Sequence, residues 1–195
     1  MMPLLNIANI VEATEAEGPG LRFVVWVQGC LKRCQGCCNP ELLKIKPTHI
    51  FSSKEIIEQL CAAKKKYPSL EGITFLGGEP FLQAKGLADI AKYAHEIDLS
   101  VMVFTGYLLE DLTESQFFGS QNLLKYTDLL IDGEFDYTQQ ETIRNWVGSK
   151  NQNFHYLTPR YSEEIEVRRL TVTNEWRISS DGYIVSNGLP SKIAN

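Results

Sequence analysis

The chain has 195 residues, 19 Lys plus Arg against 24 Asp plus Glu, a formal net charge of −5 and 44% hydrophobic residues. This is the composition of a folded globular protein, which excludes disordered and fibrous classes. Its mild acidity excludes the basic field that a nucleic-acid partner requires.

The opening segment, MMPLLNIANIVEATEAEG, has no basic n-region and turns acidic within a few residues, so it does not read as a secretory signal. No apolar run approaches the roughly 20 residues that span a bilayer. A cytoplasmic protein with no membrane partner is expected. The acidic trio Glu12, Glu15 and Glu17 reads as a solvated face. The glycine-rich turn Glu17-Gly18-Pro19-Gly20-Leu21-Arg22 then leads into the apolar run Phe23–Val27. Three similar runs follow: Ile73–Leu76, Val101–Phe104 and Leu129–Ile131. All lack polar alternation, as expected of strands covered on both faces, with Trp26 read as strand core.

Helical patterns separate these runs. Ser53–Tyr67 follows Ser52, with Glu55 three residues on, the spacing of a capping box. Cys61 falls among its apolar positions and reads as core. Lys64, Lys65 and Lys66 suit its carboxyl end. Ala84–Ile97 carries Leu87, Ile90, Ala91, Ala94 and Ile97 at helical spacing. A weaker pattern covers Leu108–Phe118. Strands alternating with helices predict an α/β fold whose mostly parallel sheet gathers ligands at the carboxyl ends of its strands. From about Phe154 the pattern changes: Glu164–Leu170 alternates, and Trp176–Ser179 and Tyr183–Ser186 flank the turn pair Asp181-Gly182. A small antiparallel β appendage is predicted there, giving a catalytic domain over residues 1–157 and a β extension packed on it over 158–195.

Of five cysteines, Cys30, Cys34, Cys37 and Cys38 fall within nine residues, directly after the first apolar run, and Cys61 stands apart. An odd, clustered set is no disulfide framework. Cys30, Cys34 and Cys37, spaced C-x3-C-x2-C, can each reach a different iron of a cubane and leave the fourth iron open. A structural zinc site is the alternative, in which Cys34 and Cys37 need a second pair of ligands from among Cys30, Cys38 and His49. Adjacency makes Cys38 a poor partner, since its side chain should point away from that of Cys37. Gly77-Gly78-Glu79-Pro80 follows the second apolar run, so a parallel sheet brings it to the same rim as the thiols. No Ser-His-Asp or paired-carboxylate spacing supports a hydrolase; His49 and His155 have no partner at ligand spacing, and His95, in the second helix, reads as exposed or capping.

The thiol spacing followed by Gly-Gly-Glu-Pro resembles the radical S-adenosylmethionine superfamily. Gly18–Glu41 is similar to the activating enzymes of glycyl-radical proteins. Phe104-Thr105-Gly106-Tyr107, Leu109–Leu112, Leu130–Phe135 and Gly148–Gln152 are most like the activating proteins of anaerobic ribonucleotide reductase. The likeness runs from Ile7 to Tyr156, roughly three quarters of the chain. Cys38 departs from it, standing where an aromatic residue or His is usual.

The resemblance implies a partial, open βα barrel with a [4Fe-4S] cluster held by Cys30, Cys34 and Cys37. It implies S-adenosylmethionine chelated at the open iron and cleaved by one electron to methionine and a 5′-deoxyadenosyl radical, which takes a hydrogen atom from a polypeptide partner. Gly77, Gly78 and Glu79 would receive the cosubstrate ammonium through backbone carbonyl and carboxylate, and Pro80 would stiffen the turn. Asn39 matches a ribose-contacting position, Thr105 a position near the methionyl amino group, and Asp132 would meet a ribose hydroxyl. Turn and strand-end roles are the plainer alternatives for these three. The implied partners are a large glycyl-radical enzyme, anaerobic ribonucleotide reductase, with flavodoxin or ferredoxin as electron donor. A radical enzyme acting on another peptide, and a non-catalytic iron–sulfur or zinc protein, are the competing readings.

Overall fold

Nine strands and five helices carry the chain in a computed structural model that describes residues 3–114, 117–167, 174–178, 180–182 and 184–188. In chain order they are β1 (Leu4–Thr14), β2 (Leu21–Val27), β3 (His49–Ser52), α1 (Ser53–Lys66), β4 (Leu70–Gly77), α2 (Ala84–Glu96) and β5 (Ser100–Phe104). Then come α3 (Leu109–Thr113), α4 (Ser120–Lys125), β6 (Leu129–Asp132), β7 (Asn153–Tyr156), α5 (Glu164–Val167), β8 (Asn174–Ile178) and β9 (Ile184–Gly188). Seven strands form one sheet in the order β3-β1-β2-β4-β5-β6-β7. The four predicted runs are its parallel centre, β2, β4, β5 and β6, and antiparallel β1 and β7 flank them. The fold is therefore mixed α/β, and among the described residues the sheet does not close into a barrel.

The missing alternation in the central strands has a direct cause. One face, through Phe23, Val25, Ile73, Phe75, Val101, Val103 and Leu130, packs against Ile56, Leu60 and Ala63 of α1 and Leu87, Ile90 and Ala91 of α2. On the other face Met102, Leu129 and Ile131 lie under Trp146 and Val147, while Val24 and Trp26 pack with Val11. Each large side chain so buried contributes about 1.5–3 kcal/mol relative to exposure. The capping box at Ser52 and Glu55 is formed in both directions, so α1 starts where its sequence says it should.

Several expectations are corrected. The pattern over Leu108–Phe118 yields only the short α3; Ser115 and Gln116 lie outside the described residues, and Gly119, at φ +98°, opens α4. The alternation at Glu164–Leu170 is not a strand: residues 164–167 form α5, and the rest lies outside the described residues. The hairpin predicted around Asp181-Gly182 is formed by β8 and β9, with Gly182 at φ +83°; Ser179 and Tyr183 lie outside the described residues. Among the described residues, no helix is long and apolar enough to cross a membrane.

Asp128, just before β6, and two charges near the start of β2 are buried at the amino-terminal ends of the central strands. Arg22, 0% exposed, donates to Thr74 Oγ1 (3.0 Å), Ser100 Oγ (2.6 Å), the Ile73 carbonyl (2.6 Å) and Tyr161 Oη (3.2 Å). It thereby joins β2, β4, β5 and the segment after β7, as a buried cation must find partners. Glu17 is not on a solvated face; it is 8% exposed. Its carboxylate accepts the Gly188 N–H at 2.6 Å, beside a bond from Asn187 Nδ2 to Thr14 Oγ1. These contacts dock the β8–β9 hairpin on the turn that precedes β2.

Burial pushes the Glu17 carboxyl up to about 7 against the pull of the Gly188 N–H. The unfolded chain releases this proton near 4.5. Between the two values the folded protein holds a proton that the unfolded chain has lost, so this group's contribution to stability falls as pH rises from 4.5 to 7. Glu17→Gln is expected to flatten the pH 4–8 profile of unfolding free energy by on the order of 3 kcal/mol. Urea unfolding across that range measures it, and a profile as steep as the parent's would refute the assignment.

Candidate iron–sulfur site at the carboxyl rim of the sheet

Parallel pairing of β2 with β4 ends at Val27 opposite Gly77, but the backbone bonding continues past both strands. Gly78 N–H donates to the Val27 carbonyl at 2.8 Å and Glu79 N–H to the Gly29 carbonyl at 2.9 Å. Cys30 is the next residue. The thiol loop and the Gly-Gly-Glu-Pro turn are thus one hydrogen-bonded unit at the rim. The glycines answer to this close approach: Gly77 sits at φ +111°, and a Cβ on Gly78 would lie 2.3 Å from the Gly29 carbonyl oxygen.

The loop returns to the strand end through a 3-10 turn at Pro40–Leu43, where Gly29 N–H bonds the Leu42 carbonyl (2.9 Å) and Cys30 N–H that of Leu43 (3.3 Å). Cys30 is buried, Cys34 and Cys37 are half-buried, and all three are free thiols. Burial pushes the Cys30 and Cys34 thiols up, opposed by the backbone N–H groups of Lys32 and Phe135 respectively. Cys37 is lowered to about 6, chiefly by a hydrogen bond from the Cys38 thiol and further by the Asn39 N–H. Cys38 itself is exposed, its sulfur 3.5 Å from the Asn39 amide.

The donor set fits an iron–sulfur cluster. Three sulfurs on one half-open loop each face a backbone N–H, the kind of donor that stabilises thiolate ligands and tunes clusters. Among the described residues, no three His, Cys, Asp or Glu side chains are gathered closely enough to hold a single ion. A cubane spreads its thiolates over separate irons and requires no such convergence.

The other expected site residues divide. Glu79 and Thr105 are brought together: Thr105 Oγ1 donates to Glu79 Oε1 at 2.8 Å, and the Glu79 carboxylate also accepts Phe81 N–H (3.0 Å) and Gly106 N–H (2.9 Å). Glu79 is 1% exposed, so its carboxylate is turned inward and holds the β5 rim to the β4 rim. Burial pushes it up to about 7 against these donors. Pro80 opens a 3-10 turn, Pro80–Gln83, and is buried. Asp132 ends β6, buried, with one oxygen accepting Leu109 N–H (2.8 Å), the other Asn153 Nδ2 (3.0 Å), and His155 Nε2 2.8 Å from Oδ2. His155 thus has an acidic partner that sequence spacing did not reveal. Asn39 is half-buried; its carbonyl accepts Leu42 N–H and its amide lies 3.5 Å from Cys38 Sγ.

Three rim residues escaped the sequence reading: Lys32, Tyr107 and Glu134. Lys32 Nζ lies 2.8 Å from Glu134 Oε1 and 4.3 Å from the centre of the Tyr107 ring, and Cys34 Sγ is 3.7 Å from Glu134 Oε2. Their sequence signals are position, since each falls in a loop that follows a central strand, and membership of the segments that carry the family resemblance.

Residues 16–155 match the family model described as a 4Fe-4S single cluster domain. The chain is similar to the anaerobic ribonucleoside-triphosphate reductase-activating protein of Vibrio cholerae, at 30% identity over 146 residues, covering 72% of this chain and 91% of that protein. It is likewise similar to the proteins of that name from Enterobacteria phage T4 (29% over 153 residues, 76% and 92%) and Pasteurella multocida (30% over 159 residues, 79% and 99%).

Gly78→Ala is expected to force the two rims apart, destabilising the metal-free protein by about 1–3 kcal/mol, the usual cost of overpacking. Urea unfolding reads the loss, and iron content after anaerobic reconstitution reads the displacement of Cys30. A variant unchanged in both would show that the rims need not touch.

Proposed function

The chain belongs to the family of single-cluster 4Fe-4S domains that includes the anaerobic ribonucleoside-triphosphate reductase-activating proteins, and on that premise we propose that it is a cytoplasmic radical S-adenosylmethionine activase on an open βα barrel. Its product is a glycyl radical on a large partner, anaerobic ribonucleotide reductase, with flavodoxin or ferredoxin supplying electrons. The single observation that carries this reading is the hydrogen-bonded union of a three-thiol loop with the Gly-Gly-Glu-Pro turn. When bound, the [4Fe-4S] cluster supplies one electron to the sulfonium of S-adenosylmethionine, whose cleavage provides the oxidant that removes a hydrogen atom from a glycine of the partner.

The chain's own residues do the placing. Cys30, Cys34 and Cys37 would hold three irons as thiolates, and their number would leave the fourth iron for the cosubstrate. Gly77 and Gly78 offer backbone carbonyls to its ammonium. Glu79 acts through the rims: by holding Thr105 and Gly106 it sets the place where the methionyl end lies, and Pro80 fixes the turn. Asn39, on the same loop as the three thiols, would contact the ribose. Asp132 holds the β6 rim through Leu109 and Asn153, and a ribose hydroxyl would meet it there.

Anaerobic reconstitution is expected to give about four irons per chain, from cubane stoichiometry, and Cys30→Ala, Cys34→Ala or Cys37→Ala each to abolish that uptake. Mixed with S-adenosylmethionine, a reductant and an anaerobic ribonucleotide reductase, the loaded protein should produce 5′-deoxyadenosine and a glycyl doublet in the electron paramagnetic resonance spectrum. One tightly held zinc and no 5′-deoxyadenosine would overturn the reading. The nucleoside without the doublet would reassign the partner.

A further inference from the structure

The limb of the thiol loop between Leu31 and Gly36 is held to the rest of the fold in an unusual way. Within the loop, Cys37 N–H bonds the Cys34 carbonyl and the Arg33 side-chain guanidinium donates to the Cys30 carbonyl. Its described links outward meet two neighbouring rims. Lys32 reaches Glu134 and lies over Tyr107, Cys34 faces Glu134 Oε2 and the Phe135 N–H, and a Cβ on Gly36 would lie 3.5 Å from the side chains of Phe135 and Tyr137. Lys32 is the only cation among these partners, and its side chain is 23% exposed against 51% for Glu134.

We propose that Lys32 and Glu134 form a charge-compensated clasp that tethers the thiol loop to the β5 and β6 rims and sets the net charge next to Cys34. The tether is geometric. One carboxylate bridges the Lys32 ammonium through Oε1 and the Cys34 sulfur through Oε2, while the aromatic face of Tyr107 holds the ammonium from the other side. The compensation follows from the same geometry. A lone carboxylate 3.7 Å from a ligand sulfur would oppose any added negative charge there, and the ammonium on its other oxygen cancels that effect. Lys32 and Glu134 are positioning residues: they act through Cys34 and touch no reacting atom.

The inference rests on the proposed four-iron cluster, and two measurements keep the two ideas apart. In reconstituted protein carrying four irons, the cluster's reduction potential is measured for the parent, Lys32→Gln, Glu134→Gln and the double variant. Removing the ammonium leaves Glu134 uncompensated and is expected to make reduction harder. Removing the carboxylate frees Lys32 and makes reduction easier. Each single change should alter the one-electron equilibrium roughly ten-fold, about 59 mV, with opposite signs, and the double variant should return near the parent. A structural defect would move both single variants the same way, and equal signs or no shift would overturn the proposal. In the metal-free full chain, amide hydrogen exchange of residues 31–36 should quicken in each single variant and in the double, with α1 and α2 unaffected. Unchanged exchange there would refute the tether even if no cluster could be loaded, whereas failure of the parent to bind four irons would count against the proposed function alone.

Discussion

Two backbone hydrogen bonds beyond the ends of β2 and β4 organise the candidate site. Had the parallel ladder stopped at Val27 and Gly77, the thiol loop and the turn after β4 would be separate loops at the mercy of solvent. Because Gly78 bonds Val27 and Glu79 bonds Gly29, the strand spacing of about 4.8 Å is carried one step further, into the loops themselves. Glycine at position 78 is the steric condition for this, since any side chain would meet the Gly29 carbonyl. Glu79 then extends the frame sideways. Its buried carboxylate holds Thr105 and Gly106 of the next rim, and Thr105 N–H bonds the Ile131 carbonyl of the one after. Four strand ends are linked in series before any ligand binds.

The parts of the fold legible in the sequence are those whose pattern is set locally or by full burial. The four central strands announce themselves because both faces are covered, and α1 because Ser52 and Glu55 satisfy each other three residues apart. The flanking strands do not. β1 carries bulges between Ile7 and Asn9 and between Val11 and Thr14, which break its alternation. β3 and β7 have four residues each and no fully buried side chain. At the site, cysteine spacing and the glycine pair were readable because the chemistry demands those residue types. The fates of Glu17 and Arg22 were not, since a charge is buried only when distant partners meet it. Thr74, Ser100 and Tyr161 reach Arg22 from 52, 78 and 139 residues away.

Glu79 shows how a residue singled out by its motif can take a structural role that the motif does not specify. A carboxylate beside two glycines suggests direct contact with a cationic ligand. In the fold it faces inward, with backbone N–H groups and a hydroxyl as its partners and burial opposing its charge. A group so placed transmits position: moving it would shift Thr105, Gly106 and the turn at Pro80 together. Its value to the site is that it makes separate loops move as one body.

That rigidity ends at Cys30. On one side of this residue the backbone is held by strand-like bonds; beyond it Cys34 and Cys37, the other two proposed ligands, ride on a limb whose outward contacts are mostly side-chain ones. The division would suit the proposed cluster: with Cys30 fixed in advance by the sheet, loading would have to order only a short limb around one preplaced sulfur, coupling metal binding to local ordering rather than to folding of the whole chain. The buried polar clusters at the opposite end of the sheet, around Arg22 and Glu17, support the same division. They hold the strands' amino ends and the hairpin independently of the rim, so the frame stands complete whether or not the loop is loaded.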